Sequence, residues 1–429
     1  MASRPVPLLC IAAALVVGIA GQTAPSNNVI NTYNAAGLAT EGKVETCDTS
    51  VDYFPWKIPQ STMIKAQFEV TYHKTYKIVK TTGATKKTYL LVQRGCPTPV
   101  GVTSDVQVTV PLKNVVLASG SWIGFLEHMG ESMAIKGVNG VYTTSPCVNK
   151  RAMASTTEAK IVDMSAYGFN ASTSVYQTPS WGTGPKTPDA ALTAGIDAHF
   201  VDGWSSGKNG IFFGPEGEPT YLAANEWIHY MSAFFNKEQE TSLFSSQSKN
   251  RWTCWSGAAT GASVVPKIAW IDYYGVSYGV TTPIGFVVNQ CSKKDDASYR
   301  FCDMIKAAGG TPVADYTPTK ETSPSLYDKE NGQLLGVSDE DIKKYVAGAD
   351  VIVFQNQVCY THPSCPQRIV RVGCARSAAV ALPQIQIGDW RYLDGGLTRV
   401  LFSISWCSCE TEFMTFTKLF EWLVVWLVG

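Results

Sequence analysis

Two periodicities of apolar and polar positions divide the chain. Lys65–Val79 (KAQFEVTYHKTYKIV) and Lys87–Gln93 (KTYLLVQ) alternate residue by residue, as half-buried strands do, with a turn at Thr81–Lys86. Gln107–Pro111 adds a short strand, and together these predict an antiparallel β preface. From Lys113 the strands become continuous apolar runs: Asn114–Ala118 (NVVLA), Ile135–Val138, Lys160–Met164 and His199–Asp202. Helical stretches separate them, Trp122–Met129 behind a Ser119-Gly120-Ser121 cap and Pro188–Ala198. Buried strands alternating with helices predict a parallel sheet.

The longest helical pattern follows, Pro219–Asn250. Leu222, Trp227, Ile228, Met231, Phe234, Phe235, Leu243 and Phe244 keep the three-and-four spacing of a buried stripe, and Asn225, Glu226, His229, Lys237, Glu238 and Glu240 fill the other face. Within it no Pro or Gly follows Pro219, so one helix of about 30 residues, roughly 45 Å long, is predicted. Beyond it the alternation resumes. Lys267–Tyr273, Ile284–Asn289, Pro312–Tyr316 and Asp350–Phe354 read as strands. Asp295–Ala308, ended by Gly309-Gly310, and Ser338–Val346, opened by a Ser-x-x-Asp cap, read as helices.

The predicted fold is α/β: two Rossmann-like lobes with parallel sheets, joined by one long helix, behind a small N-terminal β preface. Residues 1–20 read as a signal peptide, 21–112 as leader and preface, and 113–218 as the first lobe. The joining helix takes 219–250, the second lobe 251–410, and an apolar tail 411–429.

Composition narrows the function. The 429 residues carry 35 basic and 35 acidic side chains, so no net charge draws the chain to nucleic acid. The 12 Trp are an unusual count that suits surfaces holding large, flat, partly apolar ligands. Arg4, the apolar run Leu8–Ala20 and the small residues at Gly18–Ala20 form a secretory signal, too short for a membrane span. Its removal takes Cys10 from the 12 cysteines and leaves 11 in an oxidising setting, enough for five disulfides. Asn170-Ala171-Ser172 is a glycosylation sequon in keeping with secretion. The end, Leu419–Val428, is too short to cross a bilayer alone and reads as an interfacial or core helix, or as an attachment point.

Catalytic constellations are missing from the sequence. It has no phosphate-binding glycine loop, nucleophile elbow or H-E-x-x-H. The acidic pairs at Asp295-Asp296 and Asp339–Asp341 sit at predicted helix starts, where the helix dipole accounts for them. What recurs is aromatic, hydroxyl and amide residues at the carboxyl ends of strands, where open α/β sheets bind ligands. These are Ser121 and Trp122 after the first strand, and Trp204 after HFVD. In the second half they are Asp272, Tyr273, Tyr274, Asn289, Gln290 and Gln355. Phe212 and Phe213 precede the long helix, and Trp252 and Trp255 follow it. Two facing lobes with these rims would enclose an aromatic, nearly uncharged cleft; core packing is the plain alternative for each aromatic.

The order NVVLASGSWIGFLEHMG, EWIHYMSAFFNKE, KIAWIDYYG and DVIVFQNQ, spanning about Lys113–Gln357, resembles the bacterial periplasmic substrate-binding proteins with a single rigid inter-lobe helix. That class captures cobalamin, ferric siderophores or haem. With its secretion signal and β preface, the chain is similar to the eukaryotic algal cobalamin acquisition protein family. The resemblance implies a binding protein, not an enzyme, with no cofactor of its own. It would take cobalamin into the inter-lobe cleft and pass it to a membrane transporter or receptor. A ferric siderophore or haem is the alternative ligand, and a surface protein with a filled cleft the alternative role. A Trp-containing segment of the second lobe faces the ligand in that class, and Gly388-Asp389-Trp390 is the matching segment here. From Cys359 onward the sequence departs from the class.

Overall fold

The computed structural model describes residues 27–33, 39–40, 42–63, 67–138, 145, 147–148, 151, 161–163, 168–170, 175–177, 195–202, 210–218, 220–260, 264–274, 285–289, 291, 300–314, 327–328, 333–356, 386–388 and 400–403. The signal sequence, residues 188–194 of the predicted Pro188–Ala198 helix, Trp204, Gln290, Trp390 and the apolar tail lie outside the described residues; the end of that stretch is not helical, because Gly195 turns with φ 77° and Ala198 opens a strand. The chain divides into two compact units, with the boundary at Pro219–Tyr221 and again between Lys249 and Asn250.

In the first unit, β1 (Thr32–Tyr33) and β2 (Ala39–Thr40) form a short antiparallel pair. A four-stranded sheet follows in sequential order: β3 (Phe68–Tyr72), β4 (Tyr76–Thr81), β5 (Thr88–Gln93) and β6 (Val106–Val110). The alternating run predicted from Lys65 to Val79 is two strands. It turns at His73–Thr75, where the His73 N–H donates to Tyr76 O at 2.9 Å. The first three strands pair antiparallel, but β6 lies parallel to β5, so the preface is mixed rather than antiparallel.

A second, five-stranded sheet is parallel throughout, as its apolar strands predict. Its members are β7 (Val115–Leu117), β8 (Ile135–Val138), β9 (Val162–Asp163), β12 (Ala198–Val201) and β13 (Gly210–Phe212), in the order β13-β12-β7-β8-β9. Between β9 and β12 the chain forms the antiparallel pair β10 (Gly168–Asn170) and β11 (Val175–Gln177). Helix α1 (Ile123–His128) follows β7, behind a turn whose Ser119 side chain accepts the Ser121 N–H.

Helix α2 (Tyr221–Ala233) is the hub of this unit. Trp227 and Tyr230 meet Phe68 of β3 and Phe213 beyond β13, and Phe234, just past the helix, meets Tyr89 and Phe200. Both sheets therefore share one core. That position explains why Glu226 and His229, polar positions of the helical pattern, are buried at 5% and 2% exposure. A helix covered on all sides has no solvent face for its polar residues.

The predicted single helix is two. It stops after Ala233 and restarts as α3 (Glu238–Thr260), which continues through Trp252 and Trp255 rather than ending before them. Asn236 takes the left-handed conformation at the break, φ 58°, a state short polar side chains enter more readily than others. Its amide donates to Val29 O at 2.7 Å and Gln93 Oε1 at 3.0 Å and accepts from Lys77 Nζ at 2.8 Å. Lys77, fully buried, also donates to the freed Ala233 carbonyl and to Glu238 Oε1 at 2.7 Å. One cation thus caps the end of α2 and pairs with the first residue of α3. Tertiary bonds outweigh helix propensity here.

The second unit is built on an eight-stranded mixed sheet. In chain order it comprises β14 (Lys267–Tyr274), β15 (Gly285–Asn289), β16 (Thr311–Pro312), β17 (Tyr327–Asp328), β18 (Gln333–Val337), β19 (Val351–Asn356), β20 (Gln386–Gly388) and β21 (Val400–Ser403). The order is β17-β18-β15-β14-β19-β21-β20, with β16 beside the start of β14. Strands β14 and β19 are parallel as predicted, and β21, from the part of the sequence that gave no strand pattern, lies parallel to β19. Strand β15 departs from expectation by running antiparallel to β14. Helix α4 (Arg300–Ala307) ends at Gly309, whose φ of 76° admits the bond from Gly310 N–H to Ile305 O at 2.9 Å. Helix α5 (Asp339–Val346) starts as predicted, with Ser338 accepting the Asp341 N–H at 3.2 Å. Its Ile342, Tyr345 and Val346 pack with Ala269, Ile271 and Val288 of the sheet. The fold is mixed α/β with parallel sheets, as the alternation of strands and helices implies.

Candidate functional site

Strand order locates the site in the first unit. From β7 the chain proceeds to β8 and β9 on one side, then returns to place β12 and β13 on the other. Strands β8 and β13 thus flank the β7–β12 pair on opposite sides, so the strand order reverses between β7 and β12, and the carboxyl ends of those two strands are the usual ligand position in an open parallel sheet. The ladder continues one residue past β7, where the Ala118 N–H donates to Phe200 O at 3.0 Å. Beyond that point the chain turns through Ser119–Trp122.

A polar chain lines this edge. Ser121 Oγ donates to Glu216 Oε1 at 3.0 Å, and the Trp122 indole N–H donates to the same oxygen at 2.7 Å. Ser119 Oγ lies 2.7 Å from Ser121 Oγ. Glu216 sits in the Pro215–Gly217 turn after β13, so the bonds link the loops following β7 and β13 across the end of β12. Ser121 and Glu216 are exposed, whereas Trp122 is 1% exposed. The chemistry offered is hydroxyl and carboxylate on an apolar base.

Ser121 is thus at the edge as predicted. Trp122 and Phe213 are not rim residues. Phe213 is fully buried and meets Trp122 edge-on at 5.3 Å, so both aromatic faces serve the core. Phe212 is half-buried against Trp227. Glu216 was missed because nothing local to GIFFGPEG reveals that β13 lies two strands from β7.

In the second unit, Asp272, Tyr273 and Tyr274 close β14, and Gln355 lies level with Asp272, as Asn356 does with Tyr273. These positions share one carboxyl edge. Asn289 does not. Because β15 is antiparallel, Asn289 ends its strand one position beyond the Ile271–Val288 pair, toward the amino end of β14. Trp255 is inside α3 at 8% exposure, and Trp252, at 7%, stacks on Tyr221 at 5.0 Å. Asn170 ends β10, level with Val175 of β11.

The buried charges lie elsewhere. Lys77 and Glu238 join α2 to α3, and burial pushes the lysine below its usual range. Glu131, which precedes β8 at the amino edge, accepts from Tyr33 and has Lys237 Nζ at 3.5 Å; burial raises its carboxyl and, with Glu131 alongside, the Tyr33 phenol. These groups are matched within the fold and point to structural roles. Among the described residues no group of three His, Cys, Asp or Glu is placed to hold a metal ion.

No known family model and no curated protein matches the sequence. Several solved structures are similar in part. The FhuD protein from S. pseudintermedius is 14% identical over 58% of this chain and 74% of its own, with a TM-score of 0.35. The periplasmic heme-binding protein RhuT from Roseiflexus sp. RS-1 is 13% identical over 57% and 76%, with a TM-score of 0.32. A periplasmic solute binding protein from Veillonella parvula is 12% identical over 68% and 70%, with a TM-score of 0.35.

Proposed function

We propose that this protein is a secreted or cell-surface substrate-binding protein that captures cobalamin at the carboxyl edge of the parallel sheet of its first unit and hands it to a membrane transporter or receptor. The observation that carries the reading is the switch in strand order between β7 and β12, with Ser119, Ser121 and Glu216 bonded to one another in the loops that follow β7 and β13. Hydroxyls and a carboxylate suit a ligand rich in neutral hydrogen-bonding groups. An anionic ferric chelate is instead matched by Arg or Lys clusters. The disulfides Cys47–Cys96 and Cys291–Cys302 fit an oxidising compartment.

Calorimetric titration of the folded, disulfide-bonded protein with cyanocobalamin, and in parallel with ferrichrome, tests the reading. Saturable binding of cyanocobalamin is expected. Binding of ferrichrome alone would reassign the protein to iron uptake, and heat from neither would remove the capture role.

A further inference from the structure

We infer that Glu216 is a specificity determinant, admitting ligands that donate hydrogen bonds and rejecting those that present carboxylates; this rests on the carboxyl edge being the capture site. Both bonds that Glu216 accepts fall on Oε1, from the Trp122 indole and the Ser121 hydroxyl. The donors are themselves fixed. The Trp122 ring is buried against Phe213, so its N–H has one direction. The Ser121 hydroxyl proton is committed to Glu216, which leaves its oxygen to accept from Ser119 Oγ; the Ser121 N–H in turn donates to Ser119 Oγ at 3.3 Å. Each donor in this chain has one acceptor, and the chain ends on the carboxylate.

The other oxygen, Oε2, has no hydrogen-bond partner among the described residues, and Glu216 is exposed. An ionised carboxylate only accepts hydrogen bonds. The edge therefore holds an acceptor whose orientation is set before any ligand arrives, so little freedom is lost on binding. A carboxamide N–H, an ammonium or a hydroxyl satisfies it. A ligand carboxylate or phosphate placed there meets like charge, an arrangement that discriminates by repulsion as well as attraction. Among large flat ligands, a corrin ringed with carboxamides meets this requirement, and a haem presenting its propionates does not.

The test is Glu216→Gln. Glutamine keeps a carbonyl oxygen for the Trp122 and Ser121 donors but replaces the outward acceptor with an N–H₂ donor. Calorimetry with cyanocobalamin, ferrichrome and haemin is run on wild type and variant, with melting temperature as the fold control. The expected result is an unchanged melting temperature, a dissociation constant for cyanocobalamin raised about tenfold or more, and tighter haemin binding. Ser121→Ala, which removes one of the two fixing bonds and keeps the carboxylate, is expected to give a smaller rise. Tight cyanocobalamin binding that Glu216→Gln leaves unchanged would overturn the role of Glu216 while leaving the capture function standing. Ferrichrome binding that the variant weakens, without cyanocobalamin binding, would support the role of Glu216 and overturn cobalamin as the ligand. A wild type that prefers haemin, or binds none of the three, would overturn the inference.

Discussion

His229 shows how burial sets the behaviour of single side chains in this fold. It lies on α2 at 2% exposure, with Thr241 Oγ1 3.4 Å from Nδ1. Burial pushes its pKa down to about 4, and does the same to His128 and His199. The unfolded chain takes up these protons near the ordinary value of about 6.5, before the folded protein does. The stability that each neutral imidazole contributes is therefore complete above about pH 6.5 and is lost as pH falls toward 4. Glu127 and Glu131, raised by burial, act in the opposite sense, their contribution fading as pH rises through their elevated values. Urea unfolding followed from pH 7 to pH 4 reads both contributions, and comparison with a histidine variant separates the histidine part. In His229→Asn the loss of stability on acidification is expected to be shallower than in wild type, and an identical slope would show that His229 contributes nothing to it.

Among the elements, the junction of α2 and α3 was the least legible in the sequence. Phe234 and Phe235 extend the apolar stripe, and no Pro or Gly marks a stop. The break is caused by Lys77, 156 to 161 residues away in sequence, which bonds Ala233, Asn236 and Glu238 at once. No local pattern carries that information. Strand direction was hidden for the same reason: the apolar run at Ile284–Asn289 is equally compatible with either direction, and only pairing with β14 and β18 makes β15 antiparallel. What was legible followed from short-range physics, as at the Ser338 cap, the Gly309 stop and the apolar strands of the parallel sheet. The junction makes a clear prediction. Lys77→Met removes the cation and leaves Glu238, with its side chain 3% exposed, without its charge partner, and is expected to cost about 3–5 kcal/mol in equilibrium unfolding. A cost under about 1 kcal/mol, within the range of exposed ion pairs, would show that the pair does not hold the junction.

For the molecule as a whole, the candidate site divides in the same way. Ser121 was readable because it directly follows a buried strand, where the carboxyl end is certain whatever the topology. Trp122 and Phe213 carried the same signal but belong to the core, since ring chemistry alone does not distinguish a ligand face from a packing face. Glu216 emerged only once the strand order placed β13 on the same edge as β7. Among the described residues no helix is long and apolar enough to cross a membrane. Cobalt offers a label that locates the ligand without reference to any mutation. Crystals grown with cyanocobalamin, measured at the cobalt absorption edge, are expected to show one strong anomalous peak at the carboxyl ends of β7 and β12, beside Glu216. A peak at the amino edge of that sheet, or none in crystals of the saturated protein, would contradict capture at this site.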